Sequence, residues 1–170
     1  GDPEVQVQAT RLTGRLAQVL RAQALYVPSP AIVGNTSTRK AMLADPSMSA
    51  VVSAWGRVSV SLVGIGSVEP SPLLRRSGNA LSLEESEALI ALGAVGDVCL
   101  RYFDATGASV TSPVDDRLIG MTAREIRAVP RRMAVAGGQA KAAAIRAALL
   151  GGWVSVLITD EEVAESLIVD

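Results

Sequence analysis

The chain has 170 residues, of which 49% are apolar and 19% are charged, and its formal net charge is −1. This length provides one domain with a substantial core, and the composition is that of a globular chain rather than a disordered one. The near-neutral charge, with no cluster of Lys or Arg, argues against direct binding of nucleic acid by this chain.

Several kinds of chemistry are excluded by residue types that the sequence lacks. Without histidine the chain cannot form a Ser-His-Asp triad or a histidine-ligated metal site. We expect no catalytic residue, no metal ligand and no cofactor. The single cysteine, Cys99, leaves no intrachain disulfide and no paired-cysteine zinc site. We recognise no signal peptide and no apolar run of membrane-spanning length, and therefore expect a cytoplasmic protein.

The first half of the chain predicts helices followed by one strand. Apolar residues at helical spacing predict a helix from Val5 to Ala24. A second helix is predicted from Thr36 to Ala44, and a third begins at Asp45-Pro46 and runs to about Trp55. The β-branched run from Val58 to Ile65, bounded by glycine, predicts a buried strand.

The second half predicts alternating helices and strands. Capping boxes at Ser82 to Glu85 and at Thr122 to Glu125 each begin a helix. The turn Asp104 to Gly107, between two extended runs, predicts a hairpin. A regular unit then closes the chain: a strand, an Ala-rich helix from Gln139 to Leu150, a strand from Val154 to Thr159, and a last helix.

A strand–helix–strand unit implies parallel pairing with a right-handed crossover. The fold class that we predict is therefore α/β, with a mostly parallel sheet and helices on both faces. Because no repeat or low-complexity linker is visible, we place no domain boundary within residues 1–170.

Glycine-rich turns follow two of the predicted strands, at the edge where open parallel sheets bind ligands. The first turn, Gly64 to Ser67, begins like a dinucleotide-binding loop, but Glu69 stands where the third glycine would be, so it fails as a nucleotide signature. It is either a place where Gly64 and Gly66 let a ligand approach the backbone, or a simple tight turn.

The second turn, Gly137-Gly138 to Lys141, predicts an anion site. The glycines leave backbone N–H groups free at the start of the next helix, where the helix dipole attracts anions. A lysine in the first turn opposes that dipole unless a phosphate lies between them. Since the chain has 14 arginines and two lysines, a lysine here suggests a need for a compact ammonium. The alternative is an ordinary solvated lysine.

Other polar residues could contact a ligand or serve only local structure. Asp97 could accept hydrogen bonds from sugar hydroxyls or cap a turn, and Asp160 is more readily a helix N-cap than a ligand contact. The segment Asp115 to Arg117 could be a carboxylate cluster or an Asx turn. Arg75 and Arg76 would suit a second phosphate or lie in a solvated loop.

Together these motifs resemble the sugar-binding effector domain of the SorC family of bacterial transcriptional regulators. The resemblance runs from about Asp2 to the C-terminus, and its most specific pieces are Gly64 to Ser67, Gly93 to Asp104, and Val135 to Lys141. It implies a Rossmann-like α/β fold similar to the glucosamine-6-phosphate and ribose-5-phosphate isomerases. It also implies binding of phosphorylated sugars, behind an N-terminal helix-turn-helix.

The resemblance further implies roles for individual residues. Lys141 would hold a sugar phosphate and Asp97 would contact the sugar. Arg75 or Arg76 would bind a second phosphate or the far end of the sugar, and Gln8 would face the ligand from the first helix. The ligand-binding set predicted in this way is Gln8, Gly64, Gly66, Ser67, Arg75, Asp97, Gly137, Gly138 and Lys141.

The expected function is that of an effector-sensing domain of a sugar-responsive regulator, incomplete at its N-terminus. A phosphorylated sugar would modulate DNA binding and oligomerisation of a homodimer or homotetramer, and DNA would be reached only through a helix-turn-helix domain that this chain lacks. We expect no enzyme activity. The alternative is a sugar-phosphate isomerase, or an aldolase that uses Lys141 as a Schiff base.

Overall fold

The computed structural model describes residues 3–68 and 81–168. Its helices are α1 (Pro3–Leu20), α2 (Thr36–Ala44), α3 (Ser49–Trp55), α4 (Leu83–Ala91), α5 (Ala123–Ala128), α6 (Ala142–Leu150) and α7 (Glu161–Ile168). Its strands are β1 (Val60–Val63), β2 (Gly66–Ser67), β3 (Ala94–Val98), β4 (Arg101–Asp104), β5 (Arg131–Val135) and β6 (Val156–Ile158). Single 3₁₀ turns occur at Pro46–Met48, Asp115–Arg117 and Gln139–Lys141.

The helix starts follow from their capping residues. Asn35 accepts a hydrogen bond from Thr38 N–H at the start of α2, as an N-cap should. Both predicted capping boxes are confirmed, with reciprocal bonds between Ser82 and Glu85 and between Thr122 and Glu125. Within the described ranges no helix is both long and apolar enough to span a membrane.

A parallel sheet with the strand order β1-β5-β6 confirms the predicted α/β class. Strand β5, helix α6 and strand β6 form the βαβ unit that the sequence predicts. One face of this sheet carries Val63, Ala134 and Leu157, which pack in the core. The predicted buried strand Val58 to Ile65 is shorter than expected and lies at the sheet edge, since no strand pairs with its outer side in the described residues. Val60 and Leu62 are half-exposed because they point to the sheet face away from the core.

A second sheet, β2-β3-β4, is antiparallel and was not predicted. Strand β3 turns back into β4 through Cys99 and Leu100, both of which have positive φ. Hairpin turns of this kind usually contain Asn or Gly, so Cys-Leu gives no sequence signal. The hairpin that we predicted at Asp104 to Gly107 is reduced to one bridge between Phe103 and Ser109.

One core joins the two sheets. Phe103 of β4 and Ala134 of β5 are fully buried together with Trp153 and with Ile145 and Ala148 of α6. The rings of Phe103 and Trp153 are tilted, with centroids 5.1 Å apart, and Trp153 Nε1 donates to Gly107 O at 2.8 Å. The core therefore fixes the position of each sheet relative to the other.

Candidate functional site

The carboxyl ends of the three parallel strands meet at one edge. Strand β1 leads into Gly64–Ser67, β5 into Gly137–Lys141, and β6 into Thr159–Asp160. We call these segments, together with Asp97 of β3, the strand-end site. Lys141 Nζ donates to Ile65 O at 2.9 Å, which joins the two glycine turns across the sheet edge. The structure therefore brings together the two turns that the sequence singled out.

Asp97 is the buried acid of the strand-end site. It pairs with Gly66 across the antiparallel sheet, and any Cβ on Gly66 would collide with the Asp97 carboxylate. Its Oδ2 accepts a hydrogen bond from Leu100 N–H at 2.8 Å. Burial raises the pKa of Asp97 to about 6, while the Leu100 N–H and the charge of Lys141 act in the opposite direction. Gly66 thus has a defined role, which is to admit this carboxylate.

Lys141 is not the ordinary solvated lysine that the sequence left open as an alternative. Its side chain is half-buried, and its ammonium donates one of its three hydrogen bonds to Ile65 O. Its positive charge also lowers the pKa of Asp97. A half-buried ammonium beside a buried carboxylate can bind a polyhydroxylated or anionic ligand from both sides.

The turn after β5 differs from its sequence-based interpretation. Gly138 N–H is not free but donates to Asp160 Oδ2 at 2.7 Å. Asp160 also caps α7 as predicted, since its Oδ1 accepts from Val163 N–H at 3.0 Å. These two N–H donors hold the pKa of Asp160 below its usual value. The neighbouring Thr159 hydroxyl is buried and has no hydrogen-bond partner among the residues described.

The remaining predicted residues divide into two groups. Gly64 borders open space and Ser67 lies in β2 beside Gly96, so both line the site. Gln8 lies in α1, but its side chain is not described, and Arg75 and Arg76 lie outside the described residues. No ligand contact of any residue in the predicted set is tested, so the set stays a prediction.

Asp115 and Arg117 serve structure rather than a carboxylate cluster. Asp115 Oδ1 pairs with Arg101 Nη1 at 2.8 Å and its Oδ2 accepts from Ser112 N–H. Arg117 forms an ion pair with Glu85. In the described part of the chain, no group of three or more potential ligands could hold a metal ion.

An apolar cavity of about 340 Å³ lies between β1 and the β3–β4 turn. Val63, Leu100 and Met121 line it, with the Ser61 hydroxyl buried and unpartnered in the part of the chain that the structure describes. Its mostly apolar wall suits a polyhydroxylated ligand less well than the polar strand-end site does.

Sequence reasoning missed the contact between Asp160 and Gly138. The signal was present, because adjacent parallel strands bring the turns that follow them together, and these two residues follow β5 and β6. The backbone acceptor Ile65 O left no such signal, since any residue provides a carbonyl.

Comparisons with known proteins show the family to which the chain belongs. The Sugar-bind family model, which describes a sugar-binding domain, matches residues 1–169. The deoxyribonucleoside regulator of Bacillus subtilis (strain 168) is 32% identical over 154 residues, which are 91% of this chain and 49% of that protein.

Two solved structures superpose well. A sugar-binding transcriptional regulator domain from Arthrobacter aurescens TC1 has a TM-score of 0.83 and 28% identity, over 94% of this chain and 61% of that one. The full-length sorbitol operon regulator SorC from Klebsiella pneumoniae has a TM-score of 0.80 and 27% identity, over 89% of this chain and 49% of that one. The chain spans about half the length of the curated relatives it matches. It belongs to the sugar-binding domain family of SorC-type bacterial transcriptional regulators.

Proposed function

We propose that the strand-end site binds a phosphorylated sugar that acts as the effector of a transcriptional regulator. The observation that carries this proposal is that buried Asp97 and Lys141 lie within electrostatic range of each other at the carboxyl ends of the strands, beside a glycine that leaves the backbone accessible. Carboxylates accept hydrogen bonds from sugar hydroxyls, and an ammonium attracts an anionic group.

Regulation follows if the effector binds two states of the protein with different affinities. A ligand that contacts Asp97 on the antiparallel sheet and Lys141 beyond the parallel sheet would favour the state in which these elements are close together. The shift would reach DNA through other parts of a longer cytoplasmic regulator and through contacts between subunits in a dimer or tetramer.

The relatives are named as regulators, which supports a sensor rather than an enzyme. An aldolase would need Lys141 as a neutral nucleophile in a desolvated setting. Lys141 is instead half-buried and within reach of the Asp97 charge. Incubation with the same sugars separates the two functions, because an enzyme forms product and a sensor only binds.

The test is a thermal-shift screen with sorbitol 6-phosphate, 2-deoxyribose 5-phosphate and other sugar phosphates, each beside its unphosphorylated parent. A ligand at 100 times its Kd adds about 2.7 kcal/mol to the free energy of unfolding. For a chain of this size, that raises Tm by about 5–10 °C.

Matched variants locate the site. Lys141→Met should abolish the shift, whereas Lys40→Met removes the only other lysine, which is exposed on α2, and should leave the shift unchanged. The proposal fails if no sugar phosphate shifts the wild-type Tm, or if the two variants respond alike.

A further inference from the structure

The glycine turn after β5 already binds an anionic group, which is the carboxylate of Asp160. Asp160 Oδ2 accepts from Gly138 N–H at the position where a ligand phosphate would bind a glycine turn. Gly138 has a φ of +87°, and a Cβ on Gly137 would collide with the Asp160 carboxylate. The two glycines therefore shape the turn around this side chain.

Both oxygens of the Asp160 carboxylate are engaged. Oδ2 holds Gly138, while Oδ1 caps α7 through Val163 N–H. A second link joins the same two elements, since Gln139 Nε2 donates to Glu162 O at 3.3 Å. For a phosphate to take the Gly138 N–H, the cap and the turn would both have to be rearranged.

The charges around the turn also disfavour a phosphate there. Asp160, Glu161 and Glu162 stand together where α7 begins. Lys141 is the cation of the strand-end site in the described residues, and its ammonium donates to Ile65 O on the turn after β1. A phosphate dianion on Gly138 would therefore adjoin a carboxylate, and juxtaposed like charges are strongly unfavourable.

We propose that Asp160 is a specificity-determining residue that keeps phosphate off the backbone amide of Gly138 and leaves Lys141 as the group that attracts the anionic end of the effector. The inference rests on the proposed function, and it narrows it: a phosphorylated sugar must place its phosphate away from the Gly138 N–H.

The test uses inorganic phosphate as the probe and the backbone amide signals of Gly138 and Gln139 in NMR spectra as the readout. Asp160→Ser keeps an oxygen that can cap α7 but is too short to reach Gly138. We expect this variant to bind phosphate at these amides about tenfold or more tightly than the wild-type chain, since it frees the N–H and removes the charge. Glu161→Ser is the matched control, because it removes one charge from the same helix turn and leaves the Gly138 bond intact.

Three results would overturn the proposal: a phosphate response at Gly138 in the wild-type chain equal to that of Asp160→Ser, no gain in Asp160→Ser, or an equal gain in Glu161→Ser. If Asp160→Ser does not fold, Asp160→Asn replaces it, since the amide oxygen can cap α7 while one acceptor is lost. Because inorganic phosphate is the probe, this result does not depend on whether a sugar effector is found.

Discussion

The two sheets differ in how completely they are covered. Both strands of the β3–β4 hairpin are buried on both faces, with Val98 and Phe103 fully inaccessible. Within residues 3–68 and 81–168, the parallel sheet is covered on one face alone. Its other face, which we call the open face, exposes Val60 (53%), Leu62 (58%), Val135 (54%) and Ile158 (48%). This reverses the usual pattern, in which parallel sheets are buried and antiparallel sheets face water on one side.

The register explains the open face. In a parallel sheet, directly paired residues point to the same side, and successive residues alternate. Val63, Ala134 and Leu157 are in register and pack in the core, so their neighbours along each strand point away from it. The strand-end site spans the two sheets, with Asp97 on the covered sheet and the Gly137–Lys141 turn at the end of the half-covered one. One half of the site is therefore held by a dense core, and the other by a few polar contacts.

The largest effect should come from the covered sheet. Phe103→Ala removes a fully buried ring that touches Trp153 and lies in the core between the sheets, and should reduce the free energy of unfolding by about 3–5 kcal/mol. Urea unfolding followed by circular dichroism measures this change. A loss below about 1 kcal/mol would show that the antiparallel sheet is not packed as described.

The helix starts and the parallel β5–α6–β6 unit could be predicted from the sequence. Capping residues such as Ser82 and Thr122 fix helix starts through local hydrogen bonds, and these can be recognised in one short segment. The β5–α6–β6 unit was equally readable, because its strands and helix follow one another without interruption.

The antiparallel sheet was not predictable in the same way. Gly64 to Ser67 was recognised as a glycine turn, but Gly66 and Ser67 also pair with β3, a contact between segments far apart in the chain. The turn at Cys99 and Leu100 depends on the hydrogen bond that Leu100 N–H donates to the Asp97 carboxylate, rather than on a turn sequence. In the strand-end site, residue types were predictable, whereas the Asp160–Gly138 bond depends on tertiary geometry.

The second effect is a pH dependence caused by burial of Asp97. Its pKa of about 6 in the folded protein is above the 3.8 of a free carboxyl, so the folded chain binds more protons than the unfolded chain between these values. The favourable contribution is complete below about pH 4 and is lost as the pH rises through 6. Relative to Asp97→Asn, the free energy of unfolding of the wild-type chain should fall by about 2 kcal/mol between pH 4 and pH 7.

Urea unfolding of both proteins across this pH range measures that difference. Parallel curves for wild type and Asp97→Asn would contradict the burial of a titrating carboxylate at this position. A wild-type chain that gains stability relative to Asp97→Asn as the pH rises would have the wrong sign, since the wild-type protein should be relatively most stable in acid.

The third effect concerns the end of the covered sheet. Arg101 is buried and donates to Asp115 through Nη1 and to Met121 O through Nε. Asp115→Ala leaves this guanidinium without its anionic partner and should cost about 2 kcal/mol, the size expected for a hydrogen bond to a charged group. The control is Asp116→Ala at the adjacent exposed position, with an expected change within about 0.5 kcal/mol. Equal losses for the two variants would contradict a specific role for the ion pair.

The smallest effect should come from the open face. Leu62→Thr places a β-branched residue with high strand propensity on β1 and removes an apolar side chain from the surface, and the free energy of unfolding should change by less than about 0.5 kcal/mol. Urea unfolding at several protein concentrations checks both the size of the change and its independence of concentration.

A loss above about 1 kcal/mol, growing with protein concentration, would mean that a second copy covers the open face in solution, because binding to the folded state adds to apparent stability by mass action. The antiparallel sheet would then be covered by its own chain, and the open face of the parallel sheet by a second copy of the chain. A small and concentration-independent change would instead confirm that the folded chain keeps this apolar face in water. In that case the antiparallel sheet is the part that holds the strand-end site rigid. Variants of β3 and β4 should then weaken effector binding more than variants of the open face.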